Sequence, residues 1–411
     1  MMLKRYAMAI VLTLFSVIPS VAGDSSDFEA TKNLAEQGDA AAQVGLGNMY
    51  RYGLGVSKNV KEALKWYTKA AEQGDAGAQS SLGDMYRNGE GVPQNYEQAV
   101  KWYTKAAEQG YILAQGRLGG MYRYGRGVSK NATEAVKWYT KAAEQGYAGA
   151  QISLGLMYRY GQDVPQNYEQ AIKWYTKAAE KGYAAAQVGL GDMYKYGWDD
   201  KEDKKYGWGT RDNDNKNDKE AMKWYTKAAE QGDSSAQNSL GDMYKYGWED
   251  KYGWVTWDND KKNDKEAVKW YTKAAVKGHS SAQNSLGDMY RHGGRGVRQS
   301  YYEAVEWYIK AAEQGDAGAQ FNLGSMYRNG QGVPQNYKEA YIWASLAAAH
   351  SPAPEGATKV RDAVAKKLPP KDLIAAQQRA AELQKQIEAN QLEANQGKTA
   401  IQPPIRLPYY P

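Results

Sequence analysis

The chain has 411 residues, with 53 Lys and Arg against 47 Asp and Glu. The resulting net charge of +6 is interleaved evenly along the chain, a pattern that does not mark a nucleic-acid binder. There is no cysteine, which excludes disulfides, thiolate nucleophiles and Cys-built zinc sites; the three histidines, His279, His292 and His350, are scattered, so a His-built metal site is not expected either.

Residues 1–22 read as a leader. Lys4 and Arg5 precede an apolar run from Tyr6 to Ile18, Pro19 breaks it, and Ser20, Val21 and Ala22 are the small residues a signal peptidase reads. The run is too short for a comfortable membrane span. Cleavage after Ala22 and export to the periplasm or beyond are expected, leaving a net charge of +4 without Lys4 and Arg5. With no cysteine at the cleavage point, no lipid anchor is expected, and the mature chain should not span a membrane.

Residues 23–38 hold half of a unit, because Leu34-Ala35-Glu36-Gln37-Gly38 matches Ala70-Ala71-Glu72-Gln73-Gly74 while Ala30 stands where Trp66 would. A helix without that Trp suits an N-terminal cap. Residues 39–350 then repeat one pattern. Its Met-Tyr pair ends at Tyr50, Tyr86, Tyr122, Tyr158, Tyr194, Tyr244, Tyr290 and Tyr327, a nearly fixed period that marks a repeat array.

Each unit reads as two amphipathic helices. In the second unit Ala78, Leu82, Met85 and Tyr86 form one stripe, and Ala99, Trp102, Tyr103, Ala106 and Ala107 the other. Asn95 is placed to cap the second helix, with Gln98 three residues on to reach back to its amide; the same box recurs as Asn59/Glu62, Asn131/Glu134, Asn167/Gln170, Asn217/Glu220, Asn263/Glu266, Ser300/Glu303 and Asn336/Glu339. Asp39, Asp75, Asp233 and Asp316 are placed to cap first helices. Tyr111, Tyr147, Tyr183 and His279 hold that position elsewhere, where weaker capping is expected. A glycine inside every first helix, Gly83 in this unit, costs roughly 0.5–1 kcal/mol relative to alanine. Its recurrence predicts that another helix backbone passes close by, with the Trp of the second helix filling the rest of the gap.

The fifth and sixth units carry insertions, at 198–217 and 248–263. Of the 13 tryptophans, those outside the repeat helices are Trp198, Trp208, Trp248, Trp254 and Trp257, and all lie in these insertions. Such residues either pack into a local lobe or offer a contact for a protein or glycan. Asp212, Asn213, Asp214 and Asn215 invite a calcium reading, but Lys216 and the missing Gly and distal Glu speak against it. After Pro352 and Pro354, residues 351–390 suit two C-terminal capping helices, and 391–411 a flexible Pro-rich tail.

Arg51, Arg87, Arg123 and Arg159, with Lys195, Lys245, Arg291 and Arg328, follow each repeat tyrosine. Either these cations complement helix C-termini and pair with an Asp one turn back, such as Asp84, or they line a groove for an anionic ligand. No Gly-x-Ser-x-Gly, His-Glu-x-x-His or P-loop pattern occurs.

The Leu82-Gly83-Asp84-Met85-Tyr86 stretch, the Gly89-Glu90-Gly91-Val92 turn and the Trp102-Tyr103, Ala106-Ala107 and Gly110 pattern resemble the Sel1-like repeat family over roughly Phe28 to His350. The tetratricopeptide repeat has a shorter period and lacks the glycine turn. The resemblance implies an all-α fold, a right-handed α/α superhelical solenoid that needs no cofactor and acts as an adaptor for protein complexes, often at the bacterial envelope. Some exported, cysteine-rich relatives have been described as penicillin-binding or weakly β-lactamase-like. This chain lacks cysteine, Ser-x-x-Lys and Lys-Thr-Gly, so that activity is not carried over. The expectation is a non-enzymatic exported scaffold whose partner is another protein; a peptidoglycan- or glycan-binding module using the loop tryptophans is the alternative, and an envelope hydrolase the least favoured.

Overall fold

The computed structural model describes residues 25–196, 217–247 and 263–395. The chain divides into two compact units between Trp174 and Tyr175. Both are built of α-helices, and among the described residues the only bridge of β type joins Gly294 and Val297.

The first unit opens with α1 (Ser25–Glu36). The pairs α2 (Ala40–Tyr52) and α3 (Val60–Glu72), α4 (Ala76–Asn88) and α5 (Tyr96–Glu108), and α6 (Ile112–Tyr124) and α7 (Ala132–Glu144) follow, then α8 (Ala148–Tyr160). The unit boundary falls inside α9 (Tyr168–Glu180). The second unit continues with α10 (Ala184–Tyr196), α11 (Asp218–Glu230), α12 (Ser234–Tyr246), α13 (Asp264–Ala275), α14 (Ser280–His292), α15 (Tyr301–Ala312), α16 (Ala317–Asn329) and α17 (Tyr337–Ala348). It ends with α18 (Ala357–Ala365) and α19 (Pro370–Asn395). The insertions, with Trp198, Trp208, Trp248, Trp254, Trp257 and the Asp212–Asn215 stretch, lie outside the described residues apart from their closing residues Asn217 and Asn263.

The caps expected at the second helices are made. Asn95 Oδ1 accepts from the Gln98 amide at 2.9 Å, and Asn59, Asn131, Asn167, Asn217, Asn263, Ser300 and Asn336 do the same for their helices. The reciprocal half of the box differs from expectation. The Asn95 amide donates to the Tyr86 carbonyl at 2.8 Å, which leaves nothing for Gln98 to satisfy. This closure recurs in every pair, including Asn217 to Tyr194 at 2.7 Å and Asn263 to Tyr244 at 2.9 Å. Glu62, Glu134, Glu220 and Glu266 turn instead to Lys65, Lys137, Lys223 and Lys269 one turn on.

At the first helices, Asp39, Asp75, Asp233 and Asp316 cap as expected, while Tyr111 and Tyr147 make no side-chain cap. His279 departs from expectation: its Nδ1 accepts from the Ala282 amide at 3.2 Å, so it caps α14 as an aspartate would.

The glycine inside six of the first helices faces a ring rather than a backbone. A Cβ on Gly83 would lie 2.5 Å from the Tyr103 ring, and Gly47, Gly119, Gly191, Gly241 and Gly287 face Tyr67, Tyr139, Tyr225, Tyr271 and Tyr308 in the same way. At Gly324, where Ala344 replaces the tyrosine, helix backbone comes close instead, 3.1 Å from such a Cβ. The tyrosine hydroxyl then reaches the residue after the glycine: Tyr103 donates to Asp84 at 2.6 Å, Tyr225 to Asp192, Tyr271 to Asp242 and Tyr308 to Asp288.

The neighbouring Trp reaches back to the junction between its own pair and the preceding helix. Trp66 packs with Ala35 and Leu46, Trp138 joins the core of α5 and α6, Trp174 that of α7 and α8, and Trp270 that of α11 and α12. An indole hides roughly 150–250 Å², worth about 4–6 kcal/mol as an upper bound. Lysine stems close its outer side, with Lys69 4.3 Å and Lys141 4.5 Å from their ring centroids.

A chain of buried glutamines also runs through each unit. Gln115 Nε2 donates to the Ala107 carbonyl at 3.1 Å, and its Oε1 accepts from Gln145 Nε2 at 2.7 Å. Gln43, Gln79, Gln187 and Gln283 do likewise with Gln73, Gln109, Gln231 and Gln314. At the end of the series His350 Nε2 stands in for the donor, 3.1 Å from Gln320 Oε1. Thus His350 replaces a glutamine and belongs to this inner chain. Gln237 keeps its bond to Ala229 at 3.0 Å, but its Oε1, like that of Gln151, has no hydrogen-bond partner among the described residues.

Candidate interaction surface

In each unit, first helices end in exposed tyrosines. Tyr52, Tyr124, Tyr160, Tyr196 and Tyr246 are 53–64% exposed, whereas the tyrosines that face the repeat glycines are buried. They sit at the last helical residue, just before a glycine, so the ring stands clear of the packed face. The preceding cation lies over each ring: Arg51 at 5.5 Å, Arg123 at 5.2 Å, Arg159 at 5.0 Å, Lys195 at 5.2 Å and Lys245 at 4.9 Å from the centroid. Asn88, His292 and Asn329 hold the tyrosine position in the other repeats.

The four candidate arginines meet different neighbours. Arg51 is closed by a carboxylate, with Glu90 Oε2 3.0 Å from its Nε and 2.9 Å from Nη2. Burial opposes the charge on Glu90, yet the Asn88 amide and the Arg51 guanidinium hold its carboxyl below the usual range. Arg87 makes the pair one turn back, 3.6 Å from Asp84, and donates to Asn88. Arg123 Nη2 donates to the neutral Gln162 at 3.1 Å. Arg159 stacks over Tyr160. Asp84 is shared among the Tyr103 hydroxyl, Arg87 and Arg117 of α6, 3.2 Å away.

Periodicity identified the cations and the pairing of Arg87 with Asp84; it could not identify the counterparts of Arg51 and Arg123, because Glu90 and Gln162 belong to the turn of the following repeat. The exposed tyrosines were missed. Their signal was a second aromatic at two residues' spacing from the first, as in Tyr50 and Tyr52, too close for both to lie on one helix face.

A shallow pocket of about 340 Å³ opens beside α6, lined by Arg123, Tyr124, Lys130, Gln162 and Asp163. Lys130 Nζ holds Asp163 at 2.7 Å. In the second unit a pocket of about 420 Å³ lies against Lys265, Tyr290 and Arg298 and contains its own carboxylate, Glu303. Among the described residues no group of three or more His, Asp or Glu could hold a metal ion, and no helix is long and apolar enough to cross a membrane.

The Sel1 repeat family matches residues 40–75, 76–111, 112–147, 148–183, 184–233, 234–279, 280–316 and 317–351. The chain is a Sel1-repeat protein. The repeat borders fall between the second helix of one pair and the first of the next, and the longer fifth and sixth matches contain the insertions. Sel1-repeat chains of this kind are all-α repeat scaffolds of the type that mediates protein–protein interaction.

Among solved structures, this Sel1-repeat chain is similar to a protective antigen present in uropathogenic Escherichia coli strains displaying an SLR fold. The two are 34% identical, with a TM-score of 0.72 over 94% of this chain and 77% of that one. It is also similar to a Sel1 repeat protein from Oxalobacter formigenes, 29% identical with a TM-score of 0.60 over 85% of this chain and 96% of that one. No curated protein matches the chain.

Proposed function

We propose that this Sel1-repeat chain is an exported, non-enzymatic scaffold that gathers other proteins at the bacterial cell envelope, and that the tyrosine–cation pairs at the first-helix ends are where they dock. The observation that carries the reading is that the exposed tyrosines recur at one structural position, each beneath a guanidinium or ammonium. Tyr and Arg are the residue types that concentrate binding energy at interfaces. A ring held at a helix end under a cation loses little freedom when a partner covers it. Export rests on the leader pattern of residues 1–22, and the antigen of uropathogenic Escherichia coli is a relative with which an envelope location agrees.

Affinity capture from a bacterial envelope extract tests this, with residues 23–411 as bait beside a variant carrying Tyr52→Ala, Tyr124→Ala and Tyr160→Ala. Capture by the parent and loss by the variant are expected. A second variant, with 198–217 and 248–263 replaced by the short turn of the second repeat, asks what the loop tryptophans add. Loss in that variant alone transfers the contact to the insertions. Sedimentation with cell wall, with no protein captured by any version, replaces the scaffold reading with a glycan-binding one.

A further inference from the structure

We infer that the end of α6 receives an acidic peptide segment of the docking partner, its Asp or Glu carboxylates taken by Arg123 and Arg126 beside the Tyr124 ring. This rests on the scaffold reading and names the chemistry of what docks.

The first unit holds two versions of one site, and one of them already has an occupant. At the end of α2, Glu90 from the following turn sets a single carboxylate oxygen against both Nε and Nη2 of Arg51, and the Arg51 side chain is only 12% exposed. The geometry of that pair shows what an arginine in this position accepts. At the end of α6 the equivalent of Glu90 is Gln162, whose amide oxygen accepts from Arg123 at 3.1 Å but brings no charge. The hydrogen bond is kept and the ion pair is missing.

A second cation is added at the same place. Arg126 is exposed, and its guanidinium lies 5.7 Å from the Tyr124 centroid and 6.0 Å from that of Tyr96. Neither Arg123 nor Arg126 makes an ion pair among the described residues, and Asp163, the one carboxylate lining the pocket, is held by Lys130. Two guanidinium groups therefore lie 5.2 and 5.7 Å from the centroid of a phenol ring that is 61% exposed. Carboxylates complete the guanidinium hydrogen bonding, and the ring offers a flat surface for the aliphatic stem between them. The Glu90 precedent favours a carboxylate over a phosphate.

The test is fluorescence anisotropy of a labelled oligoglutamate peptide with residues 23–411, in low salt because exposed charges are screened over about 10 Å at 0.1 M. Gln162→Glu supplies Arg123 with the resident carboxylate that Arg51 already has, at an exposed turn. It should weaken peptide binding by roughly three- to tenfold. Glu90→Gln does the reverse at Arg51 and Tyr52 and should increase the peptide bound. Equal binding by the parent and Gln162→Glu, or no binding by the parent, overturns the proposal. So does a sulfated glycan or polyphosphate that binds with the same dependence on position 162 where oligoglutamate does not. If envelope capture is lost in the triple tyrosine variant and intact in Gln162→Glu, the acidic-segment inference fails while the scaffold reading stands. Capture lost in neither variant counts against the scaffold reading itself.

Discussion

The ring of Tyr103 occupies the space where a side chain on Gly83 would begin, with Cε1 and Cδ1 2.5 and 2.6 Å from the ideal Cβ position. Helix propensity by itself would reward Gly83→Ala by about 0.5–1 kcal/mol. Overpacking against a ring fixed by its bond to Asp84 should outweigh this, and the expected result is a net loss of about 1–3 kcal/mol. Denaturant titration of the single variants and of Gly83→Ala combined with Tyr103→Leu would show the coupling: the double variant should lose less than the sum. A stabilised Gly83→Ala would mean that the ring moves aside without cost.

The glutamine chain is interrupted at Gln237, where Lys277 holds the position of the donor glutamine and sends its Nζ to the Gly232 carbonyl at 2.6 Å. Lys277→Gln should complete the chain and stabilise the second unit by about 0.5–1.5 kcal/mol, the net value of one hydrogen bond to a buried acceptor. Conversely, Gln115→Ala removes two bonds at a buried position and should cost about 1–3 kcal/mol. Thermal midpoints of the two variants would move in opposite directions.

His279 gives the second unit a dependence on acid. Burial lowers its pKa from the ordinary 6.5, although Asp233, Asp242 and Asp316 pull the other way. The neutral ring is also what its cap requires, since Nδ1 accepts from Ala282. The unfolded chain then takes up the proton first as pH falls, so this contribution is fully present above 6.5 and lost as pH drops through the lower folded value. His279→Asp keeps the cap and should remove the dependence, seen as denaturation midpoints that no longer fall across that range on account of this group.

Glu313 works in the opposite sense. Gln391 of α19 donates to the Gln314 carbonyl at 2.7 Å, and Ile387 lies beside Gly315, so α19 covers the end of α15. Burial alone raises the Glu313 carboxyl from 4.5 to about 7. The unfolded chain ionises first as pH rises, so stability falls between 4.5 and about 7 and is level above that. Glu313→Gln should flatten this part of the profile; an unchanged slope would show that α19 does not exclude water from the carboxyl.

Helix identities were legible because two stripes at helical spacing recur with polar caps between them, and Asn95 and Asp75 cap as their types predict. What lies between helices was less so. Trp102 and Tyr103 are consecutive on one apolar stripe, and only the angle at which the helices cross decides which ring rests on Gly83 and which reaches back to the preceding helix. The glutamines do not stand out in a search for apolar stripes because their side chains are polar, yet Gln115 is 4% exposed. Their presence in every repeat, at Gln43, Gln79, Gln115, Gln151, Gln187, Gln237, Gln283 and Gln320, was the available sign. For Arg51 and Arg123, spacing along one helix carried no information about which residue of the next turn would answer the charge.

The bond from the cap amide to the tyrosine carbonyl is the same whether the intervening turn is short, as from Tyr86 to Asn95, or long, as from Tyr194 to Asn217 and Tyr244 to Asn263. The ends of the turn are thus held at a constant separation, and the helix pair does not register how much chain passes between them. Each repeat carries a graft point: added sequence can be spliced in at Gly89 or Gly125 as extra residues are at 198–217 and 248–263, and a loop can be moved from one repeat to another without disturbing the helix pair that carries it.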